Sequence, residues 1–253
     1  MNFKKSPFVC LVILLLCVVE ARAMETNQLV QSAFDYYRGK ASVSLCSMTI
    51  HRPDWERTIT LKAWTLGQSE SLFRITEPPK DKMNGTLKKG REMWIYNPKV
   101  NRVIKLPPSM MSQAWMGSDF SNNDLAKSDS LIKDYDHTLL KTLDRQGKKV
   151  YVIKSVPKPQ APVIWGMQIL HIREDLIFLR EEFYDEDHEL VKALDFSRIE
   201  MVGKKLFPLS MRMQKAGEDN KQSYTQVEYL KLQFKDTLPA RIFTVLNLKN
   251  PRQ

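Results

Sequence analysis

Apolar residues recur at helical spacing once near the start of the chain and at a spacing of two almost everywhere after it. In "TNQLVQSAFDYYRGK", Leu29, Val30, Ala33, Phe34 and Tyr37 form one stripe of a helix. Thr26 is placed to cap its start and Gly39 to end it. The stripe is broad and needs a surface to lie on. Past Gly39, "SVSLCSMTIH" sets Val43 and Leu45 on one side and Met48 and Ile50 on the other, which predicts an irregularity between them. "TITLKAWTLG" alternates Ile59, Leu61 and Ala63 against Thr60 and Lys62. "SLFRIT", "REMWIYNP" and "NRVIKLPP" follow, the last two separated by a turn at Asn97-Pro98. These runs are short and bounded by turn formers, with no room for crossover helices, so they predict an antiparallel meander.

Residues 107–134 break the alternation. A connection this long in a compact domain usually carries function or short helices of its own. Ser121 and Asp124 have capping-box spacing, which predicts a short helix over 122–127, and Ser128 is placed to begin a second helical turn. Alternating runs then return from Tyr135 to Lys235, separated at Gln146-Gly147, a Pro-rich loop at Pro157, Pro159 and Pro162, "DEDHE", Gly203 and "AGEDN". The chain closes with a short amphipathic helix carrying Ile242, Phe243 and Leu246, with Pro239 near its start and Pro251 beyond its end.

The expected fold is α+β, mainly β: one domain built on a strongly curved antiparallel sheet of ten or eleven strands, with helices as a lid. A sheet this large curls, and helices with apolar stripes must cover one of its faces. Its concave apolar interior is a place for a greasy ligand.

The N-terminus changes how the totals are read. Lys4 and Lys5 precede an apolar run from Phe8 to Val19, and "ARA" at Ala21–Ala23 offers a cleavage site. This is the pattern of a secretory signal peptide over residues 1–23, which leaves residues 24–253 as the exported domain. An uncleaved anchor is disfavoured because the run is short for a bilayer. Lipidation at Cys17 is weakly supported, since Leu14, Leu15 and Leu16 precede it. Of three cysteines, Cys10 and Cys17 leave with the segment, so Cys46 has no partner for an internal bridge and a buried packing role is expected. The formal charge of +10 loses three cations and one anion with the segment. A basic exported chain suits an anionic membrane surface or acidic ligands, or simply a solvated surface. Without a binding motif, nucleic acid is not expected as a partner.

Motifs for chemistry are weak. Asp119, Ser121 and Asn123 match calcium-loop positions one, three and five, but Asp124 stands where the loop needs Gly and Ser130 where it needs Glu. The S-x-x-K spacing occurs at Ser130–Lys133 and Ser155–Lys158 without companion motifs. His51, His137, His171 and His188 are too far apart for metal-ligand spacing. Glu181, Glu182, Asp185, Glu186, Asp187 and Glu189 around His188 read as a solvated hairpin tip. No catalytic residue, metal or cofactor is therefore expected. The apolar set Trp64, Phe73, Trp94, Tyr96, Trp115, Met116, Trp165 and Met167 remains. Residue by residue each suits an ordinary sheet core, and as a set they suit a cavity lining, for which adaptable Met is well fitted.

At "MWIYNPKVNRVIKLPPSMMSQAWMGSDFSNNDL" the chain resembles the outer-membrane lipoprotein-sorting protein family, the LolA-like exported bacterial proteins. The resemblance rests on Trp94, Tyr96 and Pro98, on Arg102, Val103 and Leu106, and on Met116–Leu125, with Ile242–Leu246 compatible. It implies a half-barrel of about eleven antiparallel strands closed by helices. The implied role is a non-catalytic periplasmic carrier shielding acyl chains of a lipoprotein or other lipid. An inner-membrane exporter and an outer-membrane acceptor would be its partners, and a monomer is expected. Arg57, Arg74, Arg91 and Arg102 are candidates to meet headgroups at the rim. An envelope sensor of the same shape, binding a lipid signal and an inner-membrane partner, is the alternative. A hydrolase would need a buried polar cluster that spacing does not show.

Overall fold

The computed structural model describes residues 25–217 and 222–251. The expected signal peptide lies outside them. Helix α1 (25–38) precedes thirteen strands: β1 (Ala41–Arg52), β2 (Trp55–Leu66), β3 (Glu70–Glu77), β4 (Gly85–Lys89), β5 (Glu92–Asn97), β6 (Arg102–Lys105), β7 (Tyr135–Arg145), β8 (Lys148–Pro157), β9 (Met167–Arg173), β10 (Phe178–Tyr184), β11 (Leu190–Val202), β12 (Lys205–Lys215) and β13 (Tyr224–Lys235). Short helices α2 (Asn122–Ala126) and α3 (Ser130–Lys133) interrupt the strands, and α4 (Val245–Lys249) follows them. All strands join one curved, unclosed antiparallel sheet in the order β6-β5-β4-β3-β2-β1-β13-β12-β11-β10-β9-β8-β7. Among the described residues no helix is long and apolar enough to cross a membrane.

This order dictates the lid. The chain walks outward from β1 to one edge at β6 and reappears at the opposite edge at β7. Residues 106–134 must cross the mouth of the half-barrel to join the two edges. They do so over the concave face, packing Trp115 and Ala126 against Met48, Ile59, Leu61 and Ile75. Helix α1 covers the neighbouring part of that face, with Val30, Ala33 and Phe34 against Ile153, Leu170 and Ile172. The opposite face of β3–β5 is covered by the C-terminal segment, where Phe243 and Leu248 pack on Leu72, Leu87 and Tyr96.

Several expected elements shift in detail. Thirteen strands stand where ten or eleven were expected, and β4 is the strand that alternation hides. Its "GTLKK" carries Lys88, 1% exposed, at an inward position normally held by an apolar residue. The irregularity beside β1 lies opposite Leu45/Cys46, where the β13 register skips Leu230. Thr26 is buried in the first turn of α1, and Gly39 ends the helix with φ +64° as expected. The second insertion helix starts at Ser130, not Ser128. Thr244 caps α4, and Leu246 points out at 56% exposure while Phe243 and Leu248 are fully buried.

A lidded apolar chamber

Sequence places Phe34 and Tyr37 one turn apart on α1, Phe120 and Leu125 in the insertion, and Phe73, Phe183, Leu194 and Met213 at inward strand positions. Folded together, these line a cavity of about 250 Å³ between the concave sheet, α1 and the insertion. Its wall is predominantly aromatic and aliphatic. For scale, a cavity of about 150 Å³ accommodates benzene, so this one holds roughly ten non-hydrogen atoms.

Cations from the sheet hold the insertion down. Arg52 on β1 grips Asp119 through two hydrogen bonds, 3.0 Å to Oδ1 and 3.1 Å to Oδ2. Thr225 Oγ1 donates to Asp119 Oδ2 at 2.7 Å and accepts from the Asp119 amide at 2.9 Å. Lys192 on β11 pairs with Asp124, and Lys88 on β4 pairs with Asp129 at 3.2 Å. Burial lowers the Lys88 ammonium to about 8, against the opposing pull of Asp129. Arg57 donates to the Met116 carbonyl at 3.3 Å and to Asp81 at 2.8 Å, and Arg91 donates to Asp134 at 2.6 Å. Ser121 and Asp124 form the expected capping box, worth about 1 kcal/mol. Gly117 is needed for its φ of +78°, since a Cβ there would meet only the end of Arg57 at 3.9 Å. Thus "AWMGSDFSNNDL" anchors the lid, and its acidic groups are spent on the sheet.

The chamber is not wholly apolar. Arg38 on α1 lines it and donates to Gly67 O at 2.8 Å and Ser71 Oγ at 2.6 Å. On the β9–β11 wall, Gln168, Phe183 and Lys192 form one cross-strand row, and Leu170, Glu181 and Leu194 the next inward row. Glu181 therefore sits diagonally between Gln168 and Lys192. Burial, and then the Asp124 carboxylate, push Glu181 up to about 7 while Lys192 pulls it down. The Lys192 ammonium also lies 5.0 Å from the Trp165 ring centroid and 5.4 Å from that of Phe183.

The structure divides the candidate lining. Phe73 and Trp165 line the chamber. Trp115 is 5% exposed behind Phe73, with ring centroids 5.2 Å apart and its Nε1 donating to Thr86 at 3.0 Å. It and Met116 belong to the core under the lid, not to the chamber lining. Trp64, Trp94 and Tyr96 are corrected to the opposite face, in the cluster covered by the C-terminal segment. Met167 is also outside the chamber, because its neighbour Gln168 takes the inward position. Of the rim arginines, Arg57 and Arg91 fasten the lid. Arg74 is buried on the far face, donating to the carbonyls of Asn247 at 2.7 Å and Leu248 at 3.3 Å. Arg102 is exposed on edge strand β6.

Sequence reasoning missed Arg38, Lys88, Lys192 and Glu181. Glu181 was placed on a solvated hairpin tip with its acidic neighbours, yet it stands two residues before Phe183 and must share that residue's face. His137 and Ser155 face each other across β7 and β8 with Nδ1 and Oγ 2.8 Å apart. Both are buried, and burial lowers the imidazole to about 4. Neither lines the chamber. Cys46 is buried as expected, with its thiol pushed up to about 11.

A half-barrel with a lid strapped over an apolar chamber defines a class built around an interior cavity. The family model described as "-like: Uncharacterized protein" matches residues 67–250, well over half of the chain, and the chain belongs to that family. Solved structures place its fold among the LolA-like half-barrels. A DUF1329 family protein from Desulfovibrio piger is 24% identical, with 90% of this chain and 99% of that one covered and a TM-score of 0.80. A domain named for outer membrane lipoprotein sorting, from Vibrio parahaemolyticus, is 22% identical over 90% and 100%, with a TM-score of 0.78. A LolA superfamily protein from Nitrosomonas europaea is 22% identical over 87% and 97%, with a TM-score of 0.71. No curated protein matches the chain.

Proposed function

We propose that the protein is a non-catalytic carrier that shields an acyl chain of a lipid or lipoprotein while it crosses the periplasm. The observation that carries this reading is the apolar chamber of about 250 Å³ closed by the strapped insertion. The names of its structural neighbours, which include lipoprotein sorting, agree with it. An inner-membrane donor and an outer-membrane acceptor are the partners the reading requires. The chamber's size sets the cargo: about ten carbons of one chain, not the several chains of a whole lipid. At about 0.8 kcal/mol per CH₂, ten carbons gain about 8 kcal/mol before the cost of association. Apolar burial by itself thus corresponds to an affinity no tighter than about 1 μM, a strength suited to handing cargo on.

Purification without detergent followed by solvent extraction and mass spectrometry tests the reading. The expected result is a single-chain amphiphile, or one chain of a larger lipid, recovered in near-stoichiometric amount. Protein that yields no lipid and then takes up no decan-1-ol in a titration would contradict it.

A further inference from the structure

An acyl-chain chamber has no use for carboxylates in its wall, yet this one holds two. Asp124 and Glu181 both line it. Asp124 spends Oδ2 on the Ser121 amide and hydroxyl and on Lys192, but its buried Oδ1 has no partner. The Glu181 carboxyl meets only charge and burial: no described group donates a hydrogen bond to it. Gln168, 5% exposed, adds a third acceptor. The Tyr135 hydroxyl gives its one proton to the Trp165 carbonyl at 3.0 Å and so has none for Gln168. Gln168 Oε1 is buried and has no hydrogen-bond partner among the described residues. A buried acceptor left unpaired is costly, and three around one cavity wall form a set.

The cations of the same wall are already engaged. Lys192 serves Asp124 and the Asp119 carbonyl, Lys127 donates to Pro162 O at 2.8 Å, and Arg38 donates to Gly67, Glu70 and Ser71. The chamber thus has acceptors to spare beside one compensated and one uncompensated carboxylate.

We propose that the chamber takes a single-chain amphiphile head-first, and that its head is a hydrogen-bond donor without negative charge, best a primary ammonium, received by the Glu181 carboxylate with Asp124 and Gln168 beside it. This rests on the chamber being the binding site and narrows its occupant to a free single-chain amphiphile, whose head can enter where that of a lipoprotein cannot. The alkyl chain would lie against Phe183, Leu194 and Met213, which flank these acceptors on β10–β12. The preference runs against the net charge of the molecule, +10, which favours anions. A measured preference for a cation therefore reports on the chamber and not on the surface.

The test is calorimetric titration of the folded protein at pH 8, where Glu181 is ionised, with decan-1-amine, decan-1-ol and decanoate below their micellar concentrations. The amine is expected to bind at least tenfold more tightly than decanoate, with the alcohol between. In Glu181→Gln amine binding should weaken at least tenfold and the advantage of amine over alcohol should vanish, since the amide still accepts a hydrogen bond but carries no charge. Gln168→Met, similar in volume, should weaken amine and alcohol and leave decanoate unchanged. Decanoate binding as tightly as the amine, or an amine-to-alcohol ratio that survives Glu181→Gln, overturns the head-group assignment while leaving the chamber as the site. Failure of all three ligands to bind overturns the chamber itself.

Discussion

Asp119→Ala is expected to destabilise the protein by about 3–5 kcal/mol, the range for removing one partner of a buried ion pair. The Asp119 side chain is 3% exposed and receives two hydrogen bonds from Arg52 and one from Thr225, itself fully buried. Removing it leaves the buried Thr225 hydroxyl without its acceptor and the Arg52 guanidinium with only the carbonyls of His51 and Tyr224, at the junction of β1 and β13. Those two strands are the centre of the sheet and join the first and last halves of the chain, so the loss falls on the whole fold. Urea unfolding followed by circular dichroism reads it as a lower midpoint with a similar slope. A loss below about 1 kcal/mol, the value of an exposed pair, would mean that the lid is not clamped there.

The second large effect concerns the chamber. Leu125 on the lid and Leu194 on β11 both line it. Changing both to Trp puts two indoles into space for about ten atoms, and the acyl chain loses its place. Displacing even three or four CH₂ groups, at about 0.8 kcal/mol each, weakens binding on the order of a hundredfold. Because the bulk enters a void, stability should fall by less than the 1–3 kcal/mol typical of overpacking a filled core. Unchanged decan-1-ol affinity in a folded double variant would put the ligand elsewhere.

The sequence carried the architecture further than the site. Ile59, Leu61 and Ala63 alternate cleanly because one face of β2 packs on the core and the other is part-exposed. The Ser121–Asp124 box is a local motif whose geometry needs nothing from the rest of the chain. β4 was hidden because Lys88 occupies a core position, which Asp129, 41 residues away, makes tolerable together with Ser128 and the Gln68 carbonyl. Trp64, Trp94 and Tyr96 were assigned to the cavity because β2, β3 and β5 carry large apolar residues on both faces. Alternation separates two faces but does not say which is concave, and the C-terminal segment that covers these residues is far away in sequence. Glu181 was legible from its spacing to Phe183, but the acidic run after it drew it into the hairpin tip. Arg38 and Lys192 became visible only when α1 and the insertion closed over the sheet.

The central claim is that an acyl chain lies in the chamber, against Trp165 and away from Trp64 and Trp94. Tryptophan quenching by a bromine-labelled ten-carbon alcohol measures this directly. Quenching that saturates in the wild type, is largely lost in Trp165→Phe and persists in Trp64→Phe and Trp94→Phe is the result expected. Quenching that survives in Trp165→Phe and disappears in Trp64→Phe or Trp94→Phe would place the ligand on the opposite face of the sheet and contradict the account.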